Sequence, residues 1–397
     1  MRIPASTLFT FAVIAVASNT FATGGGGYLQ TNLVSNDTSM VPAAHQDPQL
    51  VNAWGIAFSA TSPIWVSDNG TGLSTVYDGS GNLNNGVAGV VQPPAGSPPG
   101  TLANPTGMVF NGNNASFQIT DGTNTKGANF IWATEAGTIS AWNSGVGQPA
   151  TGRKDHTFLE VSTPNAIYKG LAIDSPTAGT QLYAANFASG NVDVFGPTFN
   201  PVTLASGAFT MPGLPSGYAP FGIQNIAGNI FVSFAKQTPG SGDETAGPGL
   251  GAVAEFGTDG HFIKSIANTG GSLNAPWGLA LAPANFGQFS NDLLVGNFGD
   301  GTISAFDLST PTPTFKGQLT DTSGATLSID GLWGLEFGNG ASVPSNSLIF
   351  SAGPNDESDG LLGTLTVPEP ASLSLLSLAA LPLLKRRRRN VALASCQ

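Results

Sequence analysis

The feature that most constrains the fold is a short segment that recurs six times along the chain. In each copy a glycine is followed by an apolar residue, and successive glycines lie 52–63 residues apart. The copies are Trp54-Gly55-Ile56-Ala57-Phe58, Thr106-Gly107-Met108-Val109-Phe110, Lys169-Gly170-Leu171-Ala172-Ile173, Phe221-Gly222-Ile223-Gln224-Asn225, Trp277-Gly278-Leu279-Ala280-Leu281 and Trp333-Gly334-Leu335-Glu336-Phe337. Such a period indicates one structural unit used six times.

Two more apolar segments follow each glycine and complete the unit. The second segment spans 64–67, 130–133, 182–185, 230–233, 293–296 and 348–351 in the six copies. The third carries Tyr77, Trp142, Phe195, Phe256 or Phe306, and Leu365 in the last copy. Because these segments are β-branched, aromatic and punctuated by glycine, they predict strands and not a helical solenoid. The chain is therefore predicted to be all-β, a six-bladed β-propeller over residues 28–366.

The sixth unit lacks an outer strand, and the segment 28–34 has no hairpin partner of its own. We therefore predict that the N-terminal strand closes the ring by joining the last blade, which would remove an exposed edge. The recurring glycines have a physical reason as well. The innermost strands crowd around the axis, where a side chain would obstruct the neighbouring backbone.

Composition limits the partners of this body. Residues 23–367 hold 7 Lys/Arg and 23 Asp/Glu, so the body carries a net charge of −16 within a chain of −11. Nucleic acid is an unfavourable partner for such a surface, whereas cations, neutral sugars and other polysaccharides remain open as partners. The single cysteine, Cys396, lies outside the body, which therefore has no disulfide and no thiolate metal site.

The first residues predict a signal peptide. Met1-Arg2 is a positive start, residues 8–17 are mostly apolar, and Thr20-Phe21-Ala22 offers small residues at the cleavage position. We expect a signal peptide over 1–22, cleaved after Ala22, and a glycine-rich linker over 23–27. A buried first helix is the alternative.

The last residues form a second targeting segment. Pro368-Glu369-Pro370 precedes an apolar run over 373–384, which Lys385 and Arg386-Arg387-Arg388-Arg389 close. This order closely resembles the PEP-CTERM sorting signal (367–389) of exported proteins in Gram-negative bacteria that make extracellular polysaccharide. The resemblance implies export, transient anchoring in the inner membrane through 371–384, and processing by an exosortase-type enzyme. Pro382 inside the run and the tail 390–397 depart from the pattern, and a plain C-terminal anchor is the alternative.

The repeats also resemble a family of exported propellers with PEP-CTERM tails, through Val51-Asn52-Ala53-Trp54-Gly55-Ile56-Ala57-Phe58 and Trp65-Val66-Ser67-Asp68-Asn69-Gly70. More loosely, the blades are similar to NHL-type propellers. These resemblances imply the fold and an exported, cell-surface location, but no chemistry.

Propeller geometry predicts where a site would lie. Strands in a blade alternate in direction, so the turn after each second strand shares a face with the segment that begins each first strand. The candidate residues on that face are Asn52, Asp68, Asn69, Glu135, Lys169, Asn186, Asn274, Asn297 and Asp330. Tight turns require the same residue types, so turn chemistry is the alternative at each position.

A metal site is a further hypothesis. Glu336 stands where other copies carry Ala, Val or Gln, so a carboxylate is predicted on an inner strand, where it would bind a cation or channel water. Residues 355–360 are similar to a calcium loop, with Asp356, Glu357 and Asp359 as possible ligands of calcium or another divalent cation. The three histidines show no paired spacing.

Two functions follow from these observations. The first is a non-catalytic exported propeller that binds or organises extracellular polysaccharide at the cell surface, without a certain cofactor. The alternative is a metal-dependent hydrolase or lyase, similar in outline to six-bladed lactonases, with Glu336, Asp68 and Asn186 or Asn297 as metal ligands. No nucleophile elbow and no phosphate-binding or dinucleotide-binding glycine motif is present in the sequence.

Overall fold

Five four-stranded antiparallel sheets and one five-stranded sheet are arranged around one axis in the computed structural model of the chain. The structure describes residues 27–368 apart from 85–88, 93–94, 96, 99, 148–154 and 175–179. The predicted signal peptide and most of the predicted sorting segment, including Glu369, Pro370 and Arg386 to Arg389, lie outside the described residues. We find no helix in the described part of the chain with the length and apolar character that a membrane crossing requires.

In each blade the strands follow one another in sequence from the innermost strand outward, except that the outer strand of blade 6 comes from the N-terminus. Blade 1 consists of Ala53–Ala57, Ile64–Asp68, Leu73–Tyr77 and Gly89–Val90. Blade 2 consists of Pro105–Phe110, Phe130–Thr134, Thr138–Trp142 and Phe158–Ser162, with an added hairpin of Gln118–Thr120 and Thr125–Gly127. Blade 3 consists of Tyr168–Ile173, Leu182–Asn186, Asn191–Phe195 and Pro201–Val202.

The second half of the ring repeats this plan. Blade 4 consists of Tyr218–Ile226, Asn229–Lys236, Gly251–Phe256 and Phe262–Ala267. Blade 5 consists of Pro276–Leu281, Leu293–Asn297, Ile303–Asp307 and Thr314–Gln318, with a 3-10 turn at Gly287–Phe289. Blade 6 consists of Leu332–Phe337, Leu348–Ala352, Leu361–Thr366 and the N-terminal strand Leu29–Ser35, which His45–Gln46 extends.

The predicted all-β six-bladed propeller is confirmed, and its register follows the predicted aromatic positions. Tyr77 pairs with Ile64, and the equivalent residue of every other blade pairs with the first apolar residue of the neighbouring strand. All six of these third-strand side chains are buried. Apolar clusters fill the space between successive blades, and the first strands of blades 6 and 1 are neighbours. Leu29 pairs with Thr366, so the N-terminal strand lies in the last blade.

The repeated glycines occupy close approaches between blades. A Cβ atom added to any of the six would lie under 3.0 Å from backbone of the next blade, in Gly334 from the carbonyl of Trp54. The register of the first strand shifts near each of these positions, and in every blade except blade 3 the shift withdraws the glycine from the regular ladder. Serines replace the lost bonds in two blades. Ser233 Oγ accepts from Gly222 N–H at 2.8 Å and donates to the carbonyl of Pro276 at 2.6 Å.

Candidate functional site

The axial channel has two mouths with different chemistry. We call the end where the first strands begin the upper mouth and the end where they finish the lower mouth. Between them the glycines and side chains such as Leu171 and Leu335 leave a cavity of about 40 Å³, which is room for a few water molecules.

Stacked aromatic rings close the upper mouth. Trp54 and Trp333 stack with ring centroids 3.5 Å apart, and Phe298 stacks on the other side of Trp333 at 4.0 Å. Trp277 meets both tryptophans edge-on at 5.9 Å. The three tryptophans stand beside the shifted register of their first strands, and Phe298 follows the second strand of blade 5. The result is an apolar plug that separates the channel from the upper face.

A chain of hydrogen bonds connects this plug to a buried lysine. Trp333 Nε1 donates to Asn52 Oδ1 at 3.1 Å, and Asn52 Nδ2 donates to Asn69 Oδ1 at 3.4 Å. Asn69 Nδ2 donates to Glu135 Oε2 at 3.0 Å, and Lys169 Nζ donates to Glu135 Oε1 at 2.5 Å. Asn52 adopts a left-handed backbone conformation with φ 49°, which asparagine tolerates better than most residues. The chain spans four blades and uses both oxygens of Glu135.

Lys169 is the only cation in this cluster of described residues. Its side chain is 3% exposed, and Nζ lies 5.1 Å from the centroid of the Trp54 ring. Burial alone would lower the pKa of Lys169, but the attraction of Glu135, Glu244 and Asp243 raises it above its ordinary value. The lysine therefore stays protonated at neutral pH.

Two further carboxylates come from loops of other blades. Glu244 lies in the loop between the second and third strands of blade 4, and Glu357 lies in the corresponding loop of blade 6. Burial, and then repulsion from Glu244, raises the pKa of Glu357 to about 7, while Lys169 opposes the shift. Burial also raises the pKa of Glu244, again against the attraction of Lys169. With Glu135 and the exposed Asp243, four carboxylates surround one ammonium group, so negative charge is in excess.

The loop that carries Glu357 has an unusual backbone. Asn355, Asp356 and Glu357 are three consecutive residues with φ between 53° and 63°. This conformation costs roughly 1–2 kcal/mol for each L-residue. Asp359 anchors the loop, because its two oxygens accept from Asn355 Nδ2 at 2.6 Å and from Asn36 Nδ2 at 2.8 Å. The anchored loop holds Glu357 within the electrostatic reach of Lys169.

The structure assembles only part of the predicted face. Asn52, Asn69, Glu135 and Lys169 belong to one network, as described above. The others serve their own turns or strands, and their partners are Thr75 for Asp68, Asp193 for Asn186, Asp300 for Asn274, Thr302 and Ser304 for Asn297, and the backbone N–H of Asn355 for Asp330. These five residues therefore lie outside the hydrogen-bonded network of Lys169.

The predicted metal ligands do not converge. Asp68 pairs with Ala53 at the start of its blade, whereas Glu336 is the next-to-last residue of its first strand, so the two lie toward opposite mouths. In the predicted calcium loop, the two oxygens of Asp359 accept hydrogen bonds from Asn355 and Asn36. Among the described residues, no three His, Cys, Asp or Glu side chains form a group suited to a metal ion.

Glu336 instead marks the lower mouth. Its Oε2 accepts from Gln224 Nε2 at 3.0 Å, across the axis from blade 6 to blade 4. Burial raises the pKa of Glu336 to about 7, and the bond from Gln224 opposes the shift. A recess of about 200 Å³ opens beside it. Among the described residues, no stacked aromatic rings close this mouth.

Sequence reasoning missed two parts of the upper mouth. Trp54, Trp277 and Trp333 were interpreted as repeat anchors, although three indoles at one repeat position on a closed ring imply that they meet at the axis. Glu244 lies in a long glycine-rich loop, where the sequence favours a solvated position. Its burial depends on the path of a long loop, which no local pattern encodes.

Fold and site together define a six-bladed β-propeller with a plugged, acidic upper mouth and an open lower mouth. No family model matches the chain. Two proteins of Acanthamoeba polyphaga mimivirus, "Uncharacterized protein R648" and "Uncharacterized protein L690", are each 32% identical to it. The alignments cover 84% of this chain, and 78% and 84% of the viral proteins respectively. The chain belongs to the same protein family as these two.

Solved structures with a similar course of the chain include a streptogramin B lyase, with a TM-score of 0.48 and 11% identity over 86% of this chain and 97% of the other. The aldose sugar dehydrogenase of Escherichia coli has a TM-score of 0.46 and 13% identity, over 86% and 100% of the two chains. We draw no conclusion about activity from either likeness.

Proposed function

We propose that the protein is a non-catalytic propeller that binds a neutral, hydroxyl-rich polysaccharide at its upper mouth. The observation that carries this proposal is the excess of hydrogen-bond acceptors there. Glu135, Asp243, Glu244 and Glu357 surround the single cation Lys169. Sugar hydroxyls donate well to carboxylates, and hydrogen bonds to charged groups are stronger than neutral ones.

The state of the polar groups favours binding over catalysis. A lysine whose pKa is raised is a poor general base and a poor nucleophile at neutral pH. Glu135 already accepts two hydrogen bonds, and the amides of Asn52 and Asn69 orient one another. The negative face also disfavours anionic polymers through simple repulsion.

Export belongs to the same proposal. The predicted signal peptide and the Pro-Glu-Pro, apolar and arginine segments would bring the propeller through the inner membrane to an exosortase-type enzyme and then to the cell surface. There the upper mouth would meet extracellular polysaccharide. Accumulation of the full chain in the cytoplasm of a Gram-negative host, unprocessed at both ends, would contradict this part.

Affinity electrophoresis tests the binding itself. The protein should migrate more slowly in gels that contain neutral dextran or galactomannan than in gels that contain alginate, an anionic polymer. The variant Glu244→Ala/Glu357→Ala should lose at least tenfold in affinity. Glu160→Ala is the matched control, because Glu160 is a partly buried carboxylate on the outer strand of blade 2. Equal retardation of all three proteins, or of none, would refute the proposal.

A further inference from the structure

The recess at the lower mouth has apolar walls and one polar side. Phe58, Met108, Phe110 and Ile173 from blades 1, 2 and 3 form the walls, and Gln224 and Glu336 form the polar side. Its volume of about 200 Å³ is below the about 300–1,000 Å³ of pockets for drug-sized ligands. The recess therefore suits a small molecule with an apolar body and one polar end.

The polar side presents two open acceptors beside the amide of Gln224. Gln224 Nε2 donates to one oxygen of Glu336, which leaves the other carboxylate oxygen and Gln224 Oε1 without a protein partner among the described residues. Asn225 lines the recess too, but its Nδ2 donates to the carbonyl of Ile173 and its Oδ1 accepts from Gly228 N–H. A ligand that satisfies this side must donate at least two hydrogen bonds from one end.

The charge of the recess points the same way. Glu336 forms no ion pair with any described residue, and no charged side chain contributes to the shift of its pKa. A carboxylate in an apolar recess is costly unless a cation accompanies it. The upper mouth supplies its own cation in Lys169, but the lower mouth does not.

We propose that the recess at the lower mouth binds a small organic ammonium ion that carries an apolar group. The ammonium donates to the open oxygen of Glu336 and to Gln224 Oε1, and the apolar group packs between Phe58, Met108 and Phe110. Aromatic faces in this wall add attraction for the cation. This site is separate from the polysaccharide surface proposed above, since the aromatic plug and the narrow channel lie between them.

Phenethylamine is a suitable probe, with 2-phenylethanol as its neutral counterpart of the same shape. Isothermal titration of the full chain at pH 8.5 should show saturable binding of phenethylamine, and binding at least tenfold weaker for the alcohol. Glu336→Gln should weaken phenethylamine binding at least tenfold. Glu357→Gln, a matched change at the upper mouth, should alter it less than twofold.

A pH series keeps the test valid if Glu336→Gln does not fold. No titratable described residue other than Glu336 faces the recess, and Gln224 is neutral, so lowering the pH from 8.5 to 5.5 should weaken binding to the unmodified chain at least tenfold. Calcium chloride should give no saturable signal. Equal binding of amine and alcohol, no binding of phenethylamine at 20 mM, retained binding by Glu336→Gln, or saturable calcium binding would each overturn the proposal.

Discussion

Both mouths of the channel contain carboxylates with little access to water, but the groups that neutralise these carboxylates differ. At the upper mouth, carboxylates lie beside buried tryptophans, and Lys169 neutralises part of their charge within a hydrogen-bonded chain. At the lower mouth, Glu336 has a single amide partner and no cation. The comparison shows that Glu135 is paired by a cation of the chain itself, whereas Glu336 has no such cation among the described residues.

The largest expected effect tests the pairing at the upper mouth. Lys169→Met should lower the free energy of unfolding by about 3–5 kcal/mol at pH 8, because it leaves Glu135, Glu244 and Glu357 without a cation. Urea unfolding measures the loss. The matched change Lys264→Met removes a more exposed pair, 3.4 Å from Glu255, and should cost about 1 kcal/mol or less. Equal losses in the two variants would mean that burial does not decide the effect.

The opposite sign is expected at the lower mouth. The pKa of Glu336 in the folded protein, about 7, lies above its ordinary value of 4.5, so its favourable contribution is present below about pH 4.5 and is lost as the pH rises through 7. Glu336→Gln should therefore stabilise the protein by about 2–3 kcal/mol at pH 8 and change it little at pH 4. Thermal unfolding at the two pH values measures the difference. Destabilisation at pH 8 would show that the carboxylate is paired after all.

A smaller effect tests the plug, which only the upper mouth has. Trp333→Phe removes the indole donor to Asn52 and part of the stack with Trp54 and Phe298, and should cost about 2 kcal/mol. Phe315→Leu, a change at a half-exposed aromatic side chain, should cost less than about 0.5 kcal/mol. Chemical denaturation compares the two. If the tryptophan change costs no more than its control, the plug does not stabilise the ring.

The smallest expected effect compares Glu357, which lies near a cation, with Glu336, which does not. Glu357 also has a pKa of about 7, raised by burial and by Glu244, but Lys169 offsets part of the cost. Its contribution is likewise lost as the pH rises from about 4.5 through 7. Because the side chain is partly exposed, Glu357→Gln should stabilise the protein at pH 8 by only about 1 kcal/mol, measured as for Glu336→Gln. A gain larger than that of Glu336→Gln would reverse the comparison.

The fold could be predicted from the sequence because the same local pattern recurs in each blade. The glycine of each first strand and the aromatic residue of each third strand are local signals, and six copies reinforce one another. The placement of Asn52, Asn69, Glu135 and Lys169 on one face also followed from strand direction alone.

The rest of the site depends on distances that no local pattern contains. A long loop of blade 4 brings Glu244 close to Lys169. Glu357 is placed by a left-handed backbone, whereas its local sequence suggested only a calcium loop. Asp68 and Glu336 were predicted to act together because both are carboxylates near the axis. Their positions along the strands separate them, and strand position was the information needed.

The pairing of Leu29 with Thr366 also has a consequence for how the chain acquires its structure. Blades 1 to 5 close through contacts between neighbours in sequence and can form as the chain is synthesised. The N-terminal strand Leu29–Ser35 is made first, but it can pair only when the strand Leu361–Thr366 has been made. This contact joins residues far apart in sequence, and such contacts make folding slow. Until it forms, both strands have an unpaired edge that can join another chain. The last folding step of the ring is therefore the one most exposed to aggregation.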